Sequence, residues 1–136
     1  MRLLVVTAVA AERDAVAAAI GDASTVVLAG GIGPASSAAY TSAALAAADY
    51  DLVLSAGIAG GFDLPLGAVV VASRVVDAQL GRETPGGFEP LGSAVASLDV
   101  EPGLVAELAG RSGATTGTVL TVSTVTGTAR TADALR

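Results

Sequence analysis

Leu3-Leu4-Val5-Val6-Thr7-Ala8 is the first apolar run of the chain, and Thr25-Val26-Val27-Leu28-Ala29 is the second. Short runs that are continuously apolar, rather than alternating, are how strands covered on both faces read. Between them, residues 12–20 are Ala-rich, contain good helix formers and stop at Gly21. Strand, helix, strand in that order is a unit of parallel sheet. The second run passes into Gly30-Gly31-Ile32-Gly33-Pro34. Pro34 suits the first turn of a helix, where its missing N–H costs nothing. That helix is expected over residues 35–48, with Ala and Ser small enough to let it lie close to a sheet.

Working outward, residues 52–56 read as a third buried strand, ending in the glycine loop Gly57-Ile58-Ala59-Gly60-Gly61-Phe62. Residues 67–76 read as a longer strand. Residues 77–97, rich in Gly and Pro and carrying Phe88, read as a long loop with little regular structure. A short helix over 102–109, a β-branched strand over 115–123 and a helix opening near Ala129 follow. The expected fold is a single α/β domain over 1–136, with a mixed, mostly parallel sheet flanked by helices. Ligands of such sheets bind at the carboxyl ends of the strands. Here those ends are residues 8–12, 30–33, 57–61 and 123–127.

Composition removes whole classes of chemistry. The 136 residues include no His, Cys or Trp, and all seven basic residues are Arg. His-dependent triads, Cys nucleophiles and imidazole or thiolate metal sites are therefore excluded, as are Schiff-base and P-loop lysines. Any acid–base chemistry must come from Asp, Glu or Tyr. The net charge of -6 argues against nucleic acid as a partner, which needs a basic face. Aromatics are only 3% of the chain, so its core must be built from Ala, Val, Leu and Ile. Mean hydropathy is +0.69. Two readings of that value stay open: plain Ala richness, or apolar surface covered by another subunit or by further chain.

The N-terminus imitates a secretion signal, with Arg2, an apolar run and an Ala-x-Ala-like end. The charges Glu12-Arg13-Asp14 follow at once, and a buried first strand explains the run, so a cytoplasmic location is expected. No apolar stretch reaches the roughly eighteen residues of a membrane helix, and no membrane partner is expected. A helix that opens at Ala129 and stops at Arg136 raises the expectation of a chain truncated at its C-terminus. A frayed terminal helix is the alternative.

Neither glycine loop is a nucleotide fingerprint. The 30–34 loop misses the G-x-G-x-x-G spacing, and the 57–61 loop has no lysine. Each reads as a tight turn, or as backbone that lets a ligand approach closely. Glu12 likewise has two readings. A carboxylate in the first turn of a helix complements the helix dipole. At the ligand-binding edge of a sheet it can also hold or deprotonate a water.

Taken together, the strand leading into Ala8-x-x-x-Glu12, then Gly31-Ile32-Gly33, then Ser55-Ala56-Gly57-Ile58-Ala59-Gly60-Gly61, resembles the purine nucleoside phosphorylase and nucleosidase superfamily over the whole chain. A finer match rests on Ala78-Gln79-Leu80-Gly81-Arg82-Glu83-Thr84-Pro85-Gly86-Gly87-Phe88 and on Thr121-Val122-Ser123-Thr124-Val125-Thr126-Gly127. It points to one hydrolytic branch of that superfamily. A methylthioadenosine-type nucleosidase and a non-catalytic nucleoside-binding paralogue or fragment remain as alternatives.

The resemblance implies cleavage of an N-glycosidic bond of a purine nucleoside by water, with one carboxylate activating the water and another protonating the base. It assigns Glu12 to the water. It assigns Val9 and Ile32 to the ribose and its 5′ substituent, Gly33 to substrate binding, Ala59 and Gly60 to the base, and Val125 and Thr126 to the purine ring. Two phosphate-holding positions of the phosphorylases are Ser55 and Ile58 here, which favours hydrolysis over phosphorolysis. The family's ribose-gripping Glu and its base-protonating Asp are expected after a further strand and helix, beyond Arg136. A homodimer is implied, and no metal or organic cofactor is expected.

Overall fold

The first apolar run forms strand β1 (Leu3–Thr7), and helix α1 (Ala10–Ala19), β2 (Thr25–Ala29), α2 (Pro34–Ala47) and β3 (Leu52–Ser55) follow. The computed structural model describes residues 1–92 and 96–136, which divide into two compact units, Met1–Gly60 and Gly61–Arg136. The class is α/β, as the alternation of strands and helices leads one to expect.

In the first unit the strand order is β2-β1-β3, with both outer strands parallel to β1. Leu3 lies opposite Thr25 on one side and Leu52 on the other. A central strand is covered on every side, which is why Leu4, Val5, Val6 and Thr7 are all buried. Each buried Leu or Val side chain contributes roughly 1.5–3 kcal/mol relative to leaving it exposed. The buried Thr7 hydroxyl lies 3.3 Å from the carbonyl oxygens of Val9 and Leu28, either of which can accept its proton. β3 departs from the expected fully buried strand. Within this sheet it pairs only with β1, and its residues alternate between half-buried and exposed, Val53 being 39% exposed.

The small residues of α2 are not packed into the sheet: they are half-buried or exposed, and the helix comes close at its start, beside the loop after β2. A Cβ added at Gly30 would stand 2.8 Å from Val6 Cγ1 and 3.6 Å from Ser37 Cα, in the first turns of α2. Gly33 caps that helix at φ 88° and ψ 159°, a conformation open essentially to glycine alone.

The second unit contains β4 (Val70–Asp77), β5 (Gly81–Thr84), β6 (Gly87–Pro90), β7 (Ser97–Asp99), α3 (Pro102–Ser112), β8 (Thr115–Thr121) and α4 (Ala129–Leu135). β4 is central, parallel to β8 and antiparallel to β7, so this sheet is mixed. Helix α3 runs past the expected end at 109, because Gly113, in the left-handed conformation at φ 67°, is the residue that ends it.

Residues 77–97 are not the irregular loop the sequence suggests. β5 and β6 form an antiparallel hairpin, and the segment's final residue opens β7. Residues 93–95 of that segment lie outside the described residues. The hairpin has four-residue strands without apolar alternation, so periodicity gives no sign of it. It is held by cross-strand contacts instead. Arg82 Nη2 bonds Glu89 Oε2 directly opposite at 2.6 Å. The Phe88 ring fills the space beside Gly81, where an added Cβ would fall 2.2 Å from Phe88 Cζ. Among the described residues, no helix is long and apolar enough to cross a membrane.

Candidate active site

The loops that follow β2 and β3 are each anchored at their first residue. Gly30 N–H donates to the Thr7 carbonyl at 2.7 Å, and Ala56 N–H to the Val6 carbonyl at 2.9 Å. Each bond extends a strand ladder one step past the strand. The turn from β1 into α1 therefore lies beside the first residues of both glycine loops.

Glu12 occupies the first turn of α1, whose N-cap is Val9 in extended conformation. Valine has no side-chain oxygen with which to cap the helix, and Glu12 instead folds back onto the main chain that leads into it. Its Oε2 accepts from Ala8 N–H at 3.0 Å and Val9 N–H at 3.1 Å. Its Oε1 accepts from Ile58 N–H at 2.9 Å, reaching across to the loop after β3. The dipole reading of Glu12 thus accounts for one oxygen of the carboxylate, and a tertiary contact holds the other.

The Ile58 N–H holds the Glu12 carboxyl below its ordinary pKa, with the Val9 and Ala8 N–H groups acting in the same direction and burial opposing them. No ionised partner enters that balance. The neighbouring Arg13 guanidinium is bound to Asp14 at 2.9 and 2.7 Å. Glu12 is consequently anionic at neutral pH and fixed in orientation. Such a group can accept a bond from a water or sugar hydroxyl and favours positive charge developing nearby.

Exposed apolar residues stand on the loops at the ends of β1, β2 and β3. Val9 is 37% exposed, Ile32 78% and Ile58 91%. Gly33, Ala59 and Gly60 are likewise exposed on those loops. The structure thus brings Val9 and Glu12 together with the start of the 57–61 loop, and places Ile32 and Gly33 on the loop after β2. Val125 and Thr126 belong to the second unit, exposed on the loop from β8 to α4.

That loop has its own anchor. Ser123 N–H donates to Gln79 Oε1 at 2.5 Å, while Asp77 Oδ1 accepts from Gln79 N–H at 3.0 Å and Leu80 N–H at 3.1 Å. The two segments that carry the finer resemblance, 78–88 and 121–127, therefore meet in space. Gly57 and the main-chain donors of Ala8 and Ile58 in the first unit, and Gln79 in the second, are features that residue-by-residue reading does not single out. A main-chain N–H has no sequence signature, and Gly57 is one glycine among several. Among the described residues, no three Asp or Glu side chains gather into a metal-binding group.

Comparison with known proteins gives concordant results. Residues 5–136 match the family model described as Phosphorylase superfamily. The chain is 47% identical to the futalosine hydrolase of Streptomyces coelicolor, over all of this chain and 69% of that protein. It is 40% identical to the futalosine hydrolase of Acidothermus cellulolyticus, over all of this chain and 65% of that protein. The chain thus spans about two thirds of the length of these relatives. Among solved structures, a variant of Helicobacter pylori MTAN with 5′-methylthioadenosine in its active site superposes with a TM-score of 0.78 at 16% identity, covering 98% of this chain and 70% of that one. Helicobacter pylori MTAN itself gives 0.75 at 17%, covering 99% and 73%. At that identity the likeness is one of fold.

Proposed function

The chain belongs to the Phosphorylase superfamily, and on that premise we propose that the whole protein is a nucleosidase that hydrolyses futalosine to hypoxanthine and dehypoxanthine futalosine. The observation that carries the substrate is the 47% identity to a futalosine hydrolase along the entire chain, against 16% to the Helicobacter pylori MTAN variant. The reaction would serve menaquinone biosynthesis in the cytoplasm, in a homodimer.

In this reading water attacks the anomeric carbon as the C–N bond breaks, and the sugar passes through an oxocarbenium-like state. The hypoxanthine leaves with a proton supplied by a carboxylic acid outside these residues, the water's hydroxyl stays on the sugar, and its proton goes to Glu12. The depressed pKa of Glu12 makes it a weak base but a constant anion. Its main contribution is to orient the water and to stabilise positive charge on the ribose. Val9 and Ile32 would contact the ribose and its 5′ substituent, Ala59, Gly60, Val125 and Thr126 the base, and Gly33 would also contact the substrate. The apolar, exposed Ile58 side chain offers no bond to phosphate, which supports water as the nucleophile.

The test is hypoxanthine release from futalosine by the whole protein in phosphate-free buffer. Release is expected, and its absence overturns the reading. Faster release of adenine from methylthioadenosine in the same assay would move the assignment to that substrate. Futalosine binding by calorimetry without turnover would make the protein a nucleoside-binding paralogue.

A further inference from the structure

Gly57 stands against the face of the Glu12 carboxylate. A Cβ at Gly57 would fall 2.9 Å from Glu12 Oε1, 3.4 Å from its Cδ and 3.5 Å from its Oε2. Moving the carboxylate aside would strain the bonds that the Ala8 and Val9 N–H groups donate to Oε2. Nor does the loop have freedom to move away. Ala56, the preceding residue, is tied to the Val6 carbonyl, and Ile58, the following residue, donates to Glu12 Oε1.

The backbone itself makes no demand for glycine here. Gly31 and Gly33 have positive φ and Gly57 does not, so no left-handed φ demands glycine at position 57. Only the space over the carboxylate requires hydrogen at this position. Gly60, in the same loop, gives the contrast, since a Cβ there would meet nothing within 4 Å.

We propose that Gly57 is a positioning residue for the reaction. By lacking a side chain, it lets the loop after β3 close onto Glu12, so that Ile58 N–H fixes Oε1 and with it the direction from which the carboxylate holds water. This rests on the function proposed for Glu12, but its physical core is testable without substrate.

The experiment follows the Glu12 side-chain carboxyl by carbon NMR and the Ile58 amide by proton–nitrogen NMR through a pH titration. It uses the parent chain, Gly57→Ala and Gly60→Ala. In the parent, the Ile58 amide shift should follow the Glu12 titration, with a midpoint below that of an ordinary glutamate. In Gly57→Ala the midpoint should move up and the Ile58 amide should cease to follow it, while Gly60→Ala should titrate like the parent. An unchanged midpoint and amide in Gly57→Ala overturns the proposal. If that variant does not fold, the parent still decides: an Ile58 amide indifferent to Glu12 ionisation, or unmoved in Glu12→Gln, overturns it as well. In turnover by the whole protein, Gly57→Ala should lower kcat by about 10²-fold with KM little changed, as misplacing a reacting group by about 1 Å does. Hypoxanthine release by the unsubstituted protein is the separate control. If release fails while the titrations behave as stated, the function is wrong and the positioning is right.

Discussion

Two of the described helices have at their start a glutamate that accepts main-chain hydrogen bonds, and the two glutamates differ in reach. At α3, Glu101 takes Gly103 N–H at 2.8 Å and Leu104 N–H at 2.7 Å, both within its own helix. At α1, Glu12 divides its oxygens between its own turn and Ile58 on another strand's loop. Both carboxyls are held below their ordinary pKa by main-chain donors, Gly103 first for Glu101 and Ile58 first for Glu12. The difference teaches that a depressed carboxyl pKa does not by itself mark a site. What separates the pair is where the donors come from, and that Glu12 alone stands at the strand ends of a parallel sheet.

The widest separation between the two should appear in turnover. Glu12→Gln is expected to reduce hypoxanthine release by the whole protein roughly 10²-fold or more, the size of effect associated with a general acid–base group. Glu101→Gln is expected to leave turnover at the parent level. Equal losses in the two variants would erase the distinction.

Acid stability should show what the two share. A carboxyl whose pKa is lower folded than unfolded stabilises the fold fully above the unfolded value, near 4.5, and ceases to do so as pH falls through the folded value. Urea midpoints should therefore fall as pH drops below about 4.5. Each Gln variant should show a shallower fall than the parent. A slope unaffected by Glu12→Gln would mean that the Ile58 bond does not persist in solution.

The smallest effect is expected at Gly103. A Cβ there would approach Glu101 Oε2 and Oε1 at 3.1 and 3.2 Å, as one at Gly57 would approach Glu12. Glu101 is exposed and free to swing aside, and alanine is the better helix former by up to about 1 kcal/mol. Gly103→Ala should therefore stay within that margin of the parent in urea unfolding, or gain slightly. A large loss would show that crowding a local cap matters as much as crowding the clamp on Glu12.

Much of the fold was legible because the first unit is built from signals that survive without an alignment. A branched apolar run such as residues 3–7 has few uses other than a buried strand, and Pro34 after Gly33 marks a helix start. The hairpin of residues 81–90 was not legible, because its stability lies in an ion pair and a ring over a glycine, neither of which makes a periodic pattern. At the site, Glu12 stood out as a charge next to an apolar run. Its partners did not, since they are peptide N–H groups that any residue could supply, brought together by the parallel register of β1 and β3.

The ring of Phe88 over Gly81 has a consequence for how this sequence can drift. With Phe88 in place, no side chain larger than hydrogen fits at position 81, because Phe88 Cζ and the Glu89 carbonyl oxygen would lie 2.2 and 2.5 Å from its Cβ. A change at 81 is therefore tolerable only after the aromatic residue has gone and the backbone has eased, and losing the aromatic residue first leaves a bare glycine in a strand. The two positions form one unit of inheritance, expected to vary together among descendants of this gene or not at all.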